Sequence, residues 1–290
     1  MTFFDSVWRM YARELLETEP VTVGEWQSMK VGESKLHATH ELLNRTHIED
    51  VPRIRKEWDA EITPDQPWAE EHFIERTSGI PYNPPPSHVR WPYGFTNRHQ
   101  DIGGKFDHTY PERFWPRHAG GCHHGYAPAP PEVGGIQTVD MHGQGDYSVV
   151  CDGRQGIRFR YGDLQDVVNL LIRSPFTRQA YLPVWFPEDT GAHAGQRVPC
   201  TLGYHFIIRD AKLHCAYFIR SCDLVRHFRN DVYFAGRLMQ WVADKVAAAA
   251  PMIHGGDVIS AGRLTMHITS LHLFVGDVPK VRAQLENIHE

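Results

Sequence analysis

The chain has 290 residues, 41% of them hydrophobic, enough to enclose a core in one large α/β domain or two small ones, and no break in composition separates two. Its 35 acidic and 30 basic side chains leave a net charge of −5, which excludes a general attraction to nucleic-acid polymers or anionic membranes, so any bound anion must be held by a local cluster of arginines. Five cysteines, an odd number, do not make a secreted disulfide framework, and neither a long apolar run nor a signal-like segment stands at Met1 to Glu17; the expectation is a soluble, cytoplasmic protein.

In chain order, Thr2 to Leu16 is predicted to be a helix, with Phe3, Val7, Met10, Tyr11 and Leu15 near one face, and Lys30 to Lys35 a basic-polar loop. Trp68 to Arg76 reads as a second helix, stopped by Ser78-Gly79 and barred from continuing by Pro84, Pro85 and Pro86. Residues 87–135 are rich in Gly, Pro, His and aromatics and read as a loop-rich insertion or active-site loop within a single domain over 1–290, although a loop of that length argues for structure not yet read. His118, Cys122, His123 and His124 lie there; without a periodic frame they read as surface loop, and no metal is expected. Ile136 to Val150 reads as strands and turns. Leu164, Val167, Val168, Leu171 and Ile172 recur at helical spacing up to Pro175, and Ala180 to Phe186 is an apolar strand. Thr201 to Arg209 and Leu213 to Ile219 alternate about the Asp210-Ala-Lys212 turn as a hairpin, Asp231 to Ala250 is a long helix, and Leu264 to Leu273 the last strand. Strands and helices alternate without a βαβ rhythm, which gives the α+β class, a mixed sheet covered by helices.

The chemistry concentrates at the hairpin. Pro199 keeps the chain extended before Cys200, and the returning strand ends in Arg220 and Ser221, a guanidinium and a hydroxyl suited to a phosphate. A thiol near fixed positive charge is expected to have a lowered pKa and to be nucleophilic at neutral pH. Cys151, Cys215 and Cys222 read instead as small buried hydrophobes.

Pro199-Cys200, then Arg220-Ser221-Cys-Asp223, Phe228-Arg-Asn230-Asp231 and Met266-His267-Ile-Thr269, with Ser174-Pro-Phe-Thr-Arg178 upstream, resemble the centre of thymidylate synthases and of the phage pyrimidine-nucleotide hydroxymethylases. The resemblance implies that family's α+β fold and a homodimer with shared active sites. It implies a pyrimidine nucleoside monophosphate as substrate and 5,10-methylenetetrahydrofolate as cofactor. Cys200 would add to C6 of the base, making C5 able to attack the folate's methylene carbon. Arg220 and Ser221 would bind the 5′-phosphate together with Arg178 of the partner subunit. Lys35 either fills the place of another phosphate-binding arginine or is a solvated lysine. Asp223 would lie near the base and the folate, or else cap the segment from Leu224. The family's acid/base is a glutamate on a buried helix, for which Glu70 and Glu71 are the candidates, with Glu75 one turn beyond Glu71. The family's Glu-Leu-Leu-Trp signature is absent, and carboxylates favoured at a helix start are the alternative. His267 would hold the sugar 3′-hydroxyl, with Thr269 in place of a tyrosine, and Thr201 replaces the usual histidine after the nucleophile.

Two departures bear on the substrate. Counted without gaps from Arg220, the position of the uracil-reading asparagine is Asp231, as in enzymes acting on cytosine nucleotides. A carboxylate accepts from the cytosine amino group and, when protonated, donates to N3, whereas an amide matches uracil. Asn230 next door keeps the uracil reading open through a one-residue slip. The chain also reaches Glu290 soon after His267, so the C-terminal lid that guards hydride transfer in thymidylate synthases is expected to be missing, leaving the methylene to water. The first reading is therefore a deoxycytidylate 5-hydroxymethylase of the kind phages use on DNA precursors in the host cytoplasm. A deoxyuridylate hydroxymethylase or a methylating thymidylate synthase is the alternative. From a different class, a thiol hydrolase pairing Cys200 with a histidine would leave Arg220, Ser221 and Asp223 without a role.

Overall fold

The computed structural model describes residues 1–21, 25–26, 29–30, 38–93, 104–116, 137–140, 146–149, 157–159, 162–190, 197–249 and 258–286. Helix α1 (Phe3–Leu16) starts at a capping box in which Thr2 accepts from the Asp5 amide and Asp5 accepts from that of Thr2. A two-residue ladder, β1 (Glu25–Trp26) with β2 (Met29–Lys30), precedes β3 (Thr39–Asp50), α2 (Arg55–Ile62) and α3 (Trp68–Thr77). A 3-10 turn at Pro86–Arg90 and the short α4 (Tyr110–Phe114) follow. Strands β4 (Gln137–Asp140), β5 (Asp146–Val149) and β6 (Ile157–Phe159) form a small antiparallel sheet. Then come α5 (Leu164–Arg173), β7 (Ala180–Pro183), α6 (Pro187–Thr190), β8 (Thr201–Arg209), β9 (Lys212–Asp223), α7 (Phe228–Ala249), β10 (Ser260–Phe274) and α8 (Val278–Glu286).

The main sheet has five strands in the order β3-β10-β9-β8-β7, with β10 parallel to β9 and every other pair antiparallel, so the α+β expectation with a mixed sheet holds. The strand period of two divides the faces. Leu213, Cys215, Tyr217 and Ile219 point into the core, where α7 contributes Phe228, Val232, Leu238, Met239 and Val242. The alternate residues Leu202, His205, Ile207, His214, Ala216 and Phe218 are half-buried on the other face. Among the described residues no helix is long and apolar enough to cross a membrane.

Several boundaries differ from the sequence reading. The hairpin's second strand runs on to Asp223, so Arg220, Ser221 and Asp223 belong to β9 itself. Helix α7 begins at Phe228, which puts Asn230 and Asp231 in its first turn. The strand read as Ala180 to Phe186 stops at Pro183. Strand β3 and helix α2 had no sequence signal: β3 is an edge strand whose Leu43 and Ile48 are exposed, and α2 is short and largely polar. Within 87–135, α4 is a capped helix inside the wall of the domain, its Arg113 bonded bidentately to Asp189 at 2.7 and 2.9 Å with both side chains buried.

Candidate active site

The β8/β9 pairing brings the chemistry together. Thr201 pairs with Ile219 across the hairpin and Ile219 with Ile268 on β10, so Cys200, Arg220 and Thr269 share one level of the sheet, with His267 two residues along beside Phe218. The Arg220 amide donates to the Cys200 carbonyl at 2.9 Å, while its guanidinium donates from Nε to the Pro199 carbonyl at 3.0 Å and from a terminal nitrogen to that of Val198 at 3.1 Å. The guanidinium thereby clamps the turn that presents the thiol.

The thiol does not have the lowered pKa expected of it. Burial pushes Cys200 up, Asp231 adds to that, and Arg220 and Arg197 pull it down without overcoming the loss of water. Asp231 is raised to about 7, mainly by burial, with Arg76 drawing it down, and it accepts a 3.6 Å hydrogen bond from the Cys222 thiol. A carboxyl poised near neutrality beside a thiol ties their protonation together: while Asp231 is neutral, the thiolate is easier to form.

Neighbouring Asn230 is bound elsewhere. It is 3% exposed, its Oδ1 accepting from the Asp65 amide at 3.2 Å and its Nδ2 donating to the Asp65 carboxylate at 2.8 Å. Asp223 uses its carboxylate to staple the turn after β9, accepting from the Val225 and Arg226 amides at 2.8 and 3.0 Å and from the Arg226 guanidinium at 3.2 Å, which is the capping alternative in form. Ser221 is half-buried on β9 opposite Ser270. His267 is exposed on β10, its ring stacked on Phe218 at 5.1 Å. Arg178 is exposed in the loop before β7, and its carbonyl is engaged by the His205 ring at 2.9 Å. Lys35 and the stretch from His118 to His124 lie outside the described residues.

Neither candidate glutamate of α3 reaches the cavity. Glu70 is held by Arg237 at 2.9 Å, Arg55 at 3.2 Å and the Tyr233 hydroxyl at 2.8 Å; Glu71 pairs with Arg90 at 2.7 Å on the surface. The opposite face of the same helix, Trp68, His72, Glu75 and Arg76, turns inward. Trp68 and His72 line a cleft with Trp91, Phe106 and Tyr110, and with Asp107, His108 and Arg197 among its polar groups. Arg76 is 4% exposed, its guanidinium 4.0 Å from the centres of both the Tyr110 and Phe234 rings. The Tyr110 hydroxyl lies 3.1 Å from Thr201 Oγ1, itself 2.9 Å from the Tyr217 hydroxyl. Burial raises Tyr110 to about 12, and the Cys200 and Asp231 charges add to that.

Tyr110, His72 and Arg76 were not among the residues singled out in the sequence. Two signals were available: Thr109-x-x-Glu112 is a capping box with Pro111 in the first turn, and Trp68, His72 and Arg76 stand four apart on one helix face.

The second half of the chain resembles known proteins. The family model described as thymidylate synthase matches residues 151–290. A putative thymidylate synthase of Methanosarcina barkeri is 35% identical over 81 residues, covering 28% of this chain and 36% of the relative. One of Methanococcoides burtonii is 27% identical over 126 residues, covering 43% of this chain and 52% of the relative. A thymidylate synthase of Sphingopyxis alaskensis is 28% identical over 133 residues, 45% of this chain and 38% of the relative. The chain thus spans about a third to a half of the length of these curated relatives. The solved thermostable thymidylate synthase A of Bacillus subtilis superposes with a TM-score of 0.61 at 13% identity, over 98% of this chain and 84% of that one, a likeness of fold. Residues 151–290 thus match the thymidylate synthase family, and the chain shares the fold of a solved thymidylate synthase.

Proposed function

We propose that this protein transfers a one-carbon unit from 5,10-methylenetetrahydrofolate to C5 of a pyrimidine nucleoside 5′-monophosphate, with deoxycytidylate as substrate and a hydroxymethyl group as product. The observation that carries the reading is the Cys200 turn clamped by Arg220, with Asp231 at its side near neutrality.

Cys200 forms the bond to C6, and electron density passes to C5, which then carries the new carbon; the C5 proton is lost, the bond from that carbon to the folate nitrogen breaks, water adds there to give the hydroxymethyl group, and departure of the thiolate restores the ring. The phosphate is assigned to Arg220 and Ser221, joined by Arg178 of the partner subunit in a homodimer. An exposed Arg178, with no side-chain partner among the described residues, and a half-buried sheet face are compatible with that assembly. His267 and Thr269 are assigned to the sugar. Asp231 is assigned to the base: half-protonated near pH 7, it donates to N3 of cytosine and accepts from the amino group, while Asn230, engaged by Asp65, is poorly disposed to read uracil.

The cleft fits the cofactor class. The flat walls of Trp68, Trp91 and Phe106 suit a bicyclic ring, and Asp107 and Arg197 supply an acceptor and a donor. When bound, the folate supplies a carbon at the oxidation level of formaldehyde.

Methylation of deoxyuridylate is the second reading, favoured by the names of the relatives, all thymidylate synthases. Mass spectrometry of products from dCMP, CMP and dUMP with methylenetetrahydrofolate separates the two. A hydroxymethylated dCMP is expected; thymidylate from dUMP would replace the first reading with the second. Failure of a 5-fluoropyrimidine nucleotide to form a covalent adduct with Cys200 would remove both.

A further inference from the structure

Helix α3 places one titratable side chain in the cleft, His72, and surrounds it with a hydrogen-bond system that none of the assignments above uses. His72 is 8% exposed, stacked on the Trp68 indole at 5.3 Å and set edge-on to Phe234 at 5.6 Å. Its Nδ1 lies 3.2 Å from Glu75 Oε2 and 3.2 Å from Ser87 Oγ. Glu75, 9% exposed, is fixed in turn: the Ser87 amide donates to Oε1 at 2.6 Å and the Ser87 hydroxyl to Oε2 at 2.6 Å.

These distances determine where the hydrogens sit. Ser87 gives its hydroxyl hydrogen to Glu75, and burial, which would raise the carboxyl, is outweighed by the bonds from His72 and Ser87 that hold Glu75 below the usual carboxylate value. Nδ1 therefore faces two oxygens with no hydrogen to offer and must carry one itself. The other nitrogen, Nε2, is left with its lone pair. Burial, helped by Arg76, lowers His72 to about 4, so the ring is neutral at rest.

We propose that His72 is the proton acceptor of the cleft and that Glu75, locked by Ser87, is its positioning residue. This deepens the function proposed above and rests on it, taking over the acid/base role for which Glu70 and Glu71 were the sequence candidates. In each cycle a proton leaves the bound molecule, or a water bonded to it, for Nε2. The imidazolium so formed keeps Nδ1–H on the Glu75 carboxylate, and the proton then passes to solvent, returning the pair to its starting state.

The test uses the full chain and two readouts. In 15N NMR, wild-type His72 is expected as the neutral Nδ1–H tautomer at pH 7.5. In Glu75→Gln the Ser87 amide keeps the glutamine oxygen, the glutamine NH2 faces Nδ1, and the ring should switch to the Nε2–H tautomer. A wild-type ring that is Nε2–H or charged overturns the proposal. In turnover with methylenetetrahydrofolate and either dCMP or dUMP, His72→Gln should lower kcat by about 10²–10⁴-fold with KM held within about threefold, and added imidazole should restore part of the activity of His72→Gly. Should His72→Gln keep more than about a third of kcat while Cys200→Ser is dead, the histidine has no such role and the proposed function stands. If wild type turns over neither nucleotide, the proposed function fails, and the tautomers alone decide whether the pair is built as described.

Discussion

At the scale of single residues, the thiol and the carboxyl at the mouth of α7 carry the sharpest consequences. Cys200→Ser differs little in volume yet lacks a polarisable anion at neutral pH, so turnover should fall by on the order of a thousandfold or more while nucleotide binding, followed by calorimetry, persists. Retention of a few per cent of activity would remove Cys200 from the nucleophile's place. Asp231→Asn should lower kcat/KM for dCMP and raise it for dUMP, moving the ratio at least about tenfold, because each mismatched buried group costs about 1–3 kcal/mol. The same carboxyl gives a pH signature. Its folded pKa of about 7 lies above the unfolded value, so its contribution to stability is fully present below about pH 4 and is lost as pH rises through 7. His72 acts with the opposite sign, its stability present above pH 6.5 and lost toward 4, so the comparison must be between variants. The stability of wild type minus that of Asp231→Asn, from urea melts, should therefore fall between pH 4 and 8, and a flat difference would mean that Asp231 is ionised throughout.

At the scale of elements, α4 is too short to hold its place by helix propensity, and the buried Arg113–Asp189 pair pins it against α6. Asp189→Ala would leave a buried guanidinium without its counter-charge, a loss of about 3–5 kcal/mol in urea unfolding. Because Tyr110 opens α4 and reaches Thr201, the same change should reduce kcat more than the melting loss alone explains; unaltered kcat in the folded fraction would detach Tyr110 from the chemistry. Helix α7 is pinned differently. A Cβ added at Gly236 would fall inside contact distance of the fully buried Trp58 indole, whose Nε1 donates to the Tyr233 carbonyl at 3.1 Å. Gly236→Ala is expected to destabilise by about 1–3 kcal/mol, with α2 and α7 losing amide protection together.

At the scale of the whole molecule, a dimer that shares sites predicts complementation: Cys200→Ser chains mixed with Arg178→Ala chains, each inactive alone, should regain up to about a quarter of wild-type activity once subunits exchange, since half the dimers then carry one intact site. No recovery under proven exchange would confine each site to one chain. Periodicity alone determined much of the fold, because β8, β9, α5 and α7 bury one face each and so write a period of two or 3.6 into their residues, and the Cys200 hairpin, with Arg220 on the returning strand, could be read from that pattern. Edge strand β3 and polar α2 bury too little to leave such a trace. Within the site, the surroundings of Asp231 and Asn230, and of His72 and Glu70, emerge only in three dimensions. Neighbours along a helix differ by about 100° in direction, and which of them meets the cleft or the Cys222 thiol and which meets Asp65 or Arg237 depends on how α3 and α7 pack, a relation between segments distant in the chain that no local spacing encodes.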